Sequence, residues 1–168
     1  MTSSLGTVVF SHGKESGPWG SKITAMAAVV RDLRWAVESI DYRGLDDPGA
    51  RVSKLIGVGK ELNGPLVLVG SSMGGYVSAA AASELGVQGL FLLAPAFYMA
   101  GYEEYTPQDV ACPTAITHGW LDAIVPVENS IRWAREHRAA LHLLDSDHRL
   151  EDQIGAICLL LRAFLLAT

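Results

Sequence analysis

The stretch Val67-Leu68-Val69-Gly70-Ser71-Ser72-Met73-Gly74-Gly75 decides how this chain folds. A β-branched and apolar run passes without a linker into Gly-x-Ser-x-Gly and then into a segment rich in Ala and Gly, the order of a strand, a very tight turn and a helix. A serine held at such a turn needs small residues two positions before and two after it, because strand and helix approach closely there and the serine backbone is strained. Gly70 and Gly74 meet that need for Ser72. For Ser71 the flanking positions would be Val69 and Met73, both too large, so the hydroxyl that stands clear of the sheet belongs to Ser72.

Outward from this stretch, strands and helices alternate. Thr7 to Phe10 predicts a buried first strand that runs into a loop, Ser11-His12-Gly13 followed by Lys14 to Pro18. Trp19, Ile23, Met26, Ala27, Val30 and Leu33 recur at three and four and predict an amphipathic helix. Trp35 to Ile40 reads as the second strand. Asp47-Pro48 places an acceptor before a proline at the first position of a second helix, which runs to Asn63-Gly64. Leu66 to Gly70 is the third strand and Met73 to Leu85 the third helix. Further strands fall at Gly89 to Pro95, Pro113 to Gly119 and Ala140 to Asp145, with helices at Val127 to Glu136 and Leu150 to Leu166. Strands this continuously apolar, separated by helices, predict a parallel sheet covered on both faces.

With 168 residues, 49% of them hydrophobic, the chain can bury one sizeable core, and residues 1–168 are read as a single domain. A net charge of -5 with no cluster of Lys or Arg argues against nucleic acid or an anionic membrane as a partner. Met1-Thr2-Ser3-Ser4-Leu5 lacks the basic and then apolar pattern of a secretory signal. Cys112 and Cys158 sit in no Cys/His spacing, so they read as buried, reduced thiols of a cytoplasmic protein, with no metal site. Ile154 to Leu166 is strongly apolar but short of a membrane span and carries Arg162, which predicts a helix packed on the core. Gly57-Val58-Gly59-Lys60-Glu61 lies inside a helical pattern and Lys60 is followed by Glu, so it is not a phosphate loop. One long irregular stretch, Ala96 to Cys112, carries Phe97, Tyr98, Met99, Tyr102 and Tyr105; it is either a functional loop or a set of aromatics tucked onto the sheet edge.

A serine hydroxyl attacks carbonyls only when a base takes its proton and a carboxylate orients that base. In parallel sheets such groups come from loops at the carboxyl ends of strands. Asp122 follows the fifth strand, where it is either that carboxylate or a helix cap, and His148 follows the sixth. Ser72, Asp122 and His148 therefore come after three different strands on one sheet edge, in the order Ser, Asp, His. Other groups fit less well. His12 and His118 each precede a glycine at a strand end and read as loop-shaping groups, His142 lies within a strand and His137 near a helix end. Asp145 and Asp147 are too near His148 in sequence for both side chains to aim correctly.

On these residues the chain resembles a small, cap-less α/β-hydrolase of the esterase-like or thioesterase-like kind. The likeness spans nearly the whole length: Ser11-His12-Gly13, Gly70 to Gly75, His118-Gly119-Trp120-Leu121-Asp122 with Val125-Pro126, and Asp147-His148. It implies a three-layer fold with about six mostly parallel strands in the order 2-1-3-4-5-6, without the first two strands of larger relatives. That topology puts Asp41 on the far side of the first strand. It further implies Ser72 as nucleophile, His148 as general base and then acid, and Asp122 as the orienting carboxylate. The oxyanion hole would combine the backbone N–H of Met73 with one from Gly13 or Lys14. The expected substrate is a small ester or thioester touched by Tyr98, Tyr102 and Trp120, with no cofactor and no metal. Ala96 to Cys112 stands where relatives grow a cap, so the expected pocket is shallow and open. The other reading is a non-catalytic member of the fold that binds a small ligand or a protein partner through the Tyr98 to Tyr105 loop.

Overall fold

A computed structural model describes residues 4–102 and 106–168, so Tyr105 of the long loop lies outside the described residues. Six strands, β1 (Thr7–Ser11), β2 (Ala36–Ile40), β3 (Leu66–Ser71), β4 (Gly89–Leu93), β5 (Thr114–Gly119) and β6 (Ala140–Leu144), form one sheet. Every pairing is parallel and the order is β2-β1-β3-β4-β5-β6, as the family resemblance implied. Strand order changes direction between β1 and β3, and loops at the carboxyl ends of these two strands therefore diverge around a crevice.

Apolar runs occupy the centre. β1 and β4 are buried along their whole length, whereas the edge strands β2 and β6 are half-exposed and accommodate Glu38 and His142. Alternate residues face opposite helix layers. Val8, Phe10, Val67, Val69, Phe91 and Leu93 pack with Ile23 and Met26 of α1 (Ser21–Asp32) and Ile157 and Leu161 of α5 (Ile154–Ala167). Val9, Leu68, Leu90 and Leu92 meet the other layer, made of α2 (Pro48–Glu61), α3 (Met73–Leu85) and α4 (Val127–His137), through Leu55, Val77 and Trp133.

The helix starts follow local chemistry. Asp47 caps α2 by accepting from Ala50 N–H at 2.7 Å, with Pro48 in the first helical position where its missing N–H costs nothing. α1 begins two residues later than the hydrophobic pattern suggests. Trp19 lies outside it, half-exposed, with the Arg31 guanidinium 5.8 Å from its ring centroid. The Gly57 to Lys60 stretch lies within α2. Among the described residues no helix is long and apolar enough to cross a membrane. Cys112 and Cys158 are free thiols, half-buried where full burial was expected.

The stretch after β4 is anchored through its aromatics. Phe97 is buried against Trp133 of α4 with ring centroids 4.9 Å apart, and Tyr102 meets Tyr76 of α3 edge to face at 5.1 Å. Trp133 Nε1 donates to the Pro107 carbonyl at 2.7 Å, and Asn129 Nδ2 to the Phe97 carbonyl at 2.8 Å. The described aromatics are tucked down, but onto α3 and α4 and not onto the sheet edge as the sequence reading had it.

Candidate active site

The turn between β3 and α3 sets the geometry of everything around it. Ser72 has φ 55° and ψ -119°, a left-handed conformation that costs a non-glycine residue of order 1–3 kcal/mol and persists only where surroundings over-determine it. They do. Ser72 N–H donates to the Leu93 carbonyl at 2.9 Å, and its own carbonyl accepts from Gly75, Tyr76 and Ala96. A side chain at Gly70 would collide with the Gly74 carbonyl, and one at Gly74 with the Ser11 and His12 carbonyls. The two glycines thus let α3 descend onto β3 and onto the end of β1, which leaves the Ser72 side chain half-exposed at the crevice.

Three loops deliver the polar groups. Ser72 Oγ lies 3.0 Å from His148 Nε2, and His148 Nδ1 lies 2.7 Å from Asp122 Oδ2. Because a carboxylate only accepts, Nδ1 carries the proton and Nε2 is free to accept from the serine hydroxyl. The Asp122 carboxyl is 0% exposed and the His148 ring 19%. Asp122 is saturated: Oδ2 accepts from His148 and also from His118 Nε2 at 2.9 Å, while Oδ1 accepts from Ile124 N–H and Val125 N–H, both at 2.8 Å. Burial alone would raise its pKa, but the hydrogen bonds from His118, His148, Val125 and Ile124 outweigh burial and hold the carboxyl well below the usual carboxylate range.

His118 is a group whose place the sequence reading understated. Its ring is fully buried, and Nε2 faces two acceptors, Asp122 Oδ2 and the Val125 carbonyl at 3.0 Å. Nε2 is therefore protonated, and Nδ1 pairs with Ser130 Oγ at 2.7 Å. The ring shapes its loop, as expected for a histidine before a glycine, and does so by gripping the carboxylate that orients His148. The two loops are also tied directly, through Trp120 N–H to the Leu144 carbonyl at 2.9 Å and Leu121 N–H to the Ser146 carbonyl at 3.0 Å. Asp147, next to His148, turns away from it and accepts from Arg149 N–H and Leu150 N–H.

On the other side of Ser72 runs the loop after β1. A Cβ added to Gly13 would lie 3.5 Å from Ser72 Cβ, so the loop backbone abuts the serine. The Met73 N–H is in the first turn of α3, where no helical carbonyl can pair it and the helix dipole favours negative charge. His12 is buried and shapes the loop: Nδ1 donates to the Gly13 carbonyl at 2.7 Å and Nε2 accepts from Tyr42 N–H at 2.9 Å. That pattern requires a neutral ring. Burial, first, and the Arg51 charge lower its pKa, against opposing pulls from Gly13 and Asp41.

Two cations that the sequence did not single out sit close by. Lys22 of α1 donates to the Arg149 carbonyl at 2.6 Å and lies 3.4 Å from Ser71 Oγ, linking the His148 loop to the serine turn. Arg51 of α2, 1% exposed, donates to the carbonyls of Leu45, His12 and Gly13. Neither leaves a sequence motif, since any residue supplies a carbonyl.

The expected substrate-contact residues are dispersed. Trp120 is 55% exposed on the loop that carries Asp122. Tyr102 is half-buried on Tyr76, four residues after Ser72. Tyr98 is committed to α4, its hydroxyl donating to Glu136 Oε2 at 2.8 Å and its ring lying 3.9 Å from the Arg132 guanidinium.

Comparison with known proteins agrees with this fold. The family model described as "Alpha/beta hydrolase family" matches residues 8–165. A solved structure from Xanthomonas campestris pv. campestris, described as belonging to the hydrolases of the alpha/beta superfamily, is 32% identical, with a TM-score of 0.90 over 97% of this chain and 99% of its own. Est1E from Butyrivibrio proteoclasticus (16% identity, TM-score 0.82, 99% of this chain and 89% of its own) and dienelactone hydrolase from Anabaena variabilis (20%, 0.82, 98% and 87%) share the fold. No curated protein matched by sequence. The fold supports hydrolase chemistry in general, and with residues 8–165 matched the chain belongs to the alpha/beta hydrolase family.

Proposed function

We propose that the protein is a serine hydrolase that cleaves a carboxylic ester or thioester through an acyl-enzyme on Ser72. The observation that carries this reading is the hydrogen-bond chain from Ser72 Oγ to His148 Nε2 and from His148 Nδ1 to Asp122, ending on a serine held in a strained backbone conformation.

In that reaction Ser72 Oγ attacks the carbonyl carbon as its proton passes to His148 Nε2. Asp122 holds the imidazole in the tautomer that can accept and stabilises the imidazolium that forms, a role for which its four hydrogen bonds keep it ionised. The carbonyl oxygen becomes an oxyanion, met by Met73 N–H and by an N–H of the Gly13-Lys14 loop; a single such donor is worth about 3 kcal/mol of transition-state stabilisation. Collapse of the tetrahedral species breaks the bond to the alkoxide or thiolate, which leaves with the proton from His148. Water then attacks the acyl-enzyme with His148 as base, the acyl–Oγ bond breaks, and the acid departs while Ser72 regains its proton. Trp120 on the Asp122 loop and Tyr102 against Tyr76 would supply apolar contact for the substrate; Tyr98 is occupied by α4 and serves the loop's anchoring.

A hydrolysis screen over esters and thioesters of graded acyl length, with Ser72→Ala as blank, tests the proposal. Turnover that vanishes in the blank is expected. Turnover that is equal in both proteins, or absent throughout while a ligand raises the melting temperature, contradicts it and favours a binding role.

A further inference from the structure

We infer that Arg51 is a positioning residue that aims the oxyanion-stabilising peptides of the loop after β1, an inference that rests on the hydrolase reading above.

The argument starts from peptide geometry. In a trans peptide the C=O and N–H point in opposite directions, and every described peptide bond here is trans. The His12 carbonyl belongs to the same peptide as Gly13 N–H, and the Gly13 carbonyl to the same peptide as Lys14 N–H. Arg51 Nη1 holds both of these carbonyls, at 3.2 Å and 3.3 Å, while Nε anchors the guanidinium on the Leu45 carbonyl at 2.6 Å. Turning the two carbonyls toward the guanidinium turns the two N–H groups away from it, and Gly13 abuts Ser72.

A buried arginine is an expensive way to fill space, since desolvating the charge costs more than packing an apolar side chain. Arg51 is among the largest fully buried side chains and takes part in no described ion pair; it hydrogen-bonds three carbonyls, its guanidinium lies 5.1 Å from the Tyr42 ring centroid, and the Asp46 carboxylate acts on its charge from beyond ion-pair distance. Nε fixes the guanidinium on the Leu45 carbonyl while Nη1 serves the two adjacent carbonyls, an anchored geometry that the single ammonium of a lysine cannot reproduce. His12 completes the clamp, its Nδ1–H giving the Gly13 carbonyl a second donor at 2.7 Å. The orientation of both peptides is therefore set before substrate arrives, as oxyanion stabilisation requires.

Arg51→Lys tests this by steady-state kinetics on the best ester from the screen, together with inhibition by a trifluoromethyl ketone, which forms an oxyanion on Ser72. The expected result is kcat lowered by about 10²-fold, the size of one lost oxyanion donor, with KM changed less than about threefold and ketone affinity falling in step with kcat/KM. A role in packing alone would lower the fraction folded and leave the ketone affinity of the folded protein unchanged. If Arg51→Lys does not fold, His12→Gln carries the test, because it takes away the Nδ1–H that the Gly13 carbonyl receives, together with the Nε2 that meets Tyr42 N–H; the same parallel loss of kcat/KM and ketone affinity is expected at smaller size. Unchanged kcat and ketone affinity in the folded variant overturn the role of Arg51 while wild-type turnover through Ser72 upholds the hydrolase reading. Wild-type activity that does not depend on Ser72 overturns both.

Discussion

At the scale of single residues, Asp122 makes the sharpest demand. Its Oδ2 receives N–H groups from both His118 and His148, and its Oδ1 receives two backbone N–H groups. In Asp122→Asn the amide NH2 must face either both ring N–H groups or both backbone N–H groups, so either a histidine changes tautomer or the loop that aims the side chain is disrupted. On the proposed mechanism the base is then presented with the wrong nitrogen or in the wrong place, and kcat for an ester falls by about 10⁴-fold. The buried donor left unpaired lowers stability by about 1–3 kcal/mol, which a denaturant titration reads. An unchanged kcat would place the orienting acid elsewhere. Ser72, Asp122 and His148 were legible as candidates because each lies in a loop or turn just after a strand end. His118 was legible only in part: the sequence shows a histidine four residues before Asp122, but which acceptor its ring faces depends on how the loop closes. Arg51 and Lys22 were not legible, because they act on main-chain carbonyls 38 and 127 residues away in sequence, and a carbonyl carries no side-chain signature.

At the scale of elements, the turn between β3 and α3 is a packing problem solved by two glycines. Gly74→Ala places a methyl group against the Ser11 and His12 carbonyls, which are main chain and cannot swing aside. α3 must then lift from β1, and the resulting overpacking costs about 1–3 kcal/mol or more. Because the His12 carbonyl is one of those displaced, turnover per folded molecule falls as well; melting curves and active-site titration separate the two effects. Retained stability and turnover would mean that the contact between α3 and β1 does not set the serine geometry. Strand identities and the parallel sheet followed from continuous apolar runs between helices, and the strand order from the family resemblance. Helix starts were less exact. Trp19 matches the apolar period of α1 yet precedes it, because periodicity records which face a residue would take and not whether the backbone is helical there.

Across the whole molecule, the buried His12 and Asp122 side chains are among the groups that make stability fall on acidification. His12 is held neutral, with a pKa below its ordinary 6.5, because burial and Arg51 oppose its charging. Its contribution is fully present above 6.5 and is lost as pH falls from there through the lowered folded value, since the unfolded chain binds the proton first. Asp122 acts in the same direction further down: its pKa is lowered from an ordinary 3.8, so its contribution is present above 3.8 and is lost at lower pH. The melting temperature should decline in two stages as pH is lowered from 7, and His12→Gln should flatten the first stage alone. A melting temperature of the wild type that is level between pH 7 and 5 would mean that His12 titrates equally in the folded and unfolded chains. The central claim, that this fold presents Ser72 as an activated nucleophile, is tested most directly by intact-mass measurement after reaction with a fluorophosphonate. One adduct per chain is predicted for the wild type and none for a folded Ser72→Ala protein, whereas equal labelling of the two would contradict it.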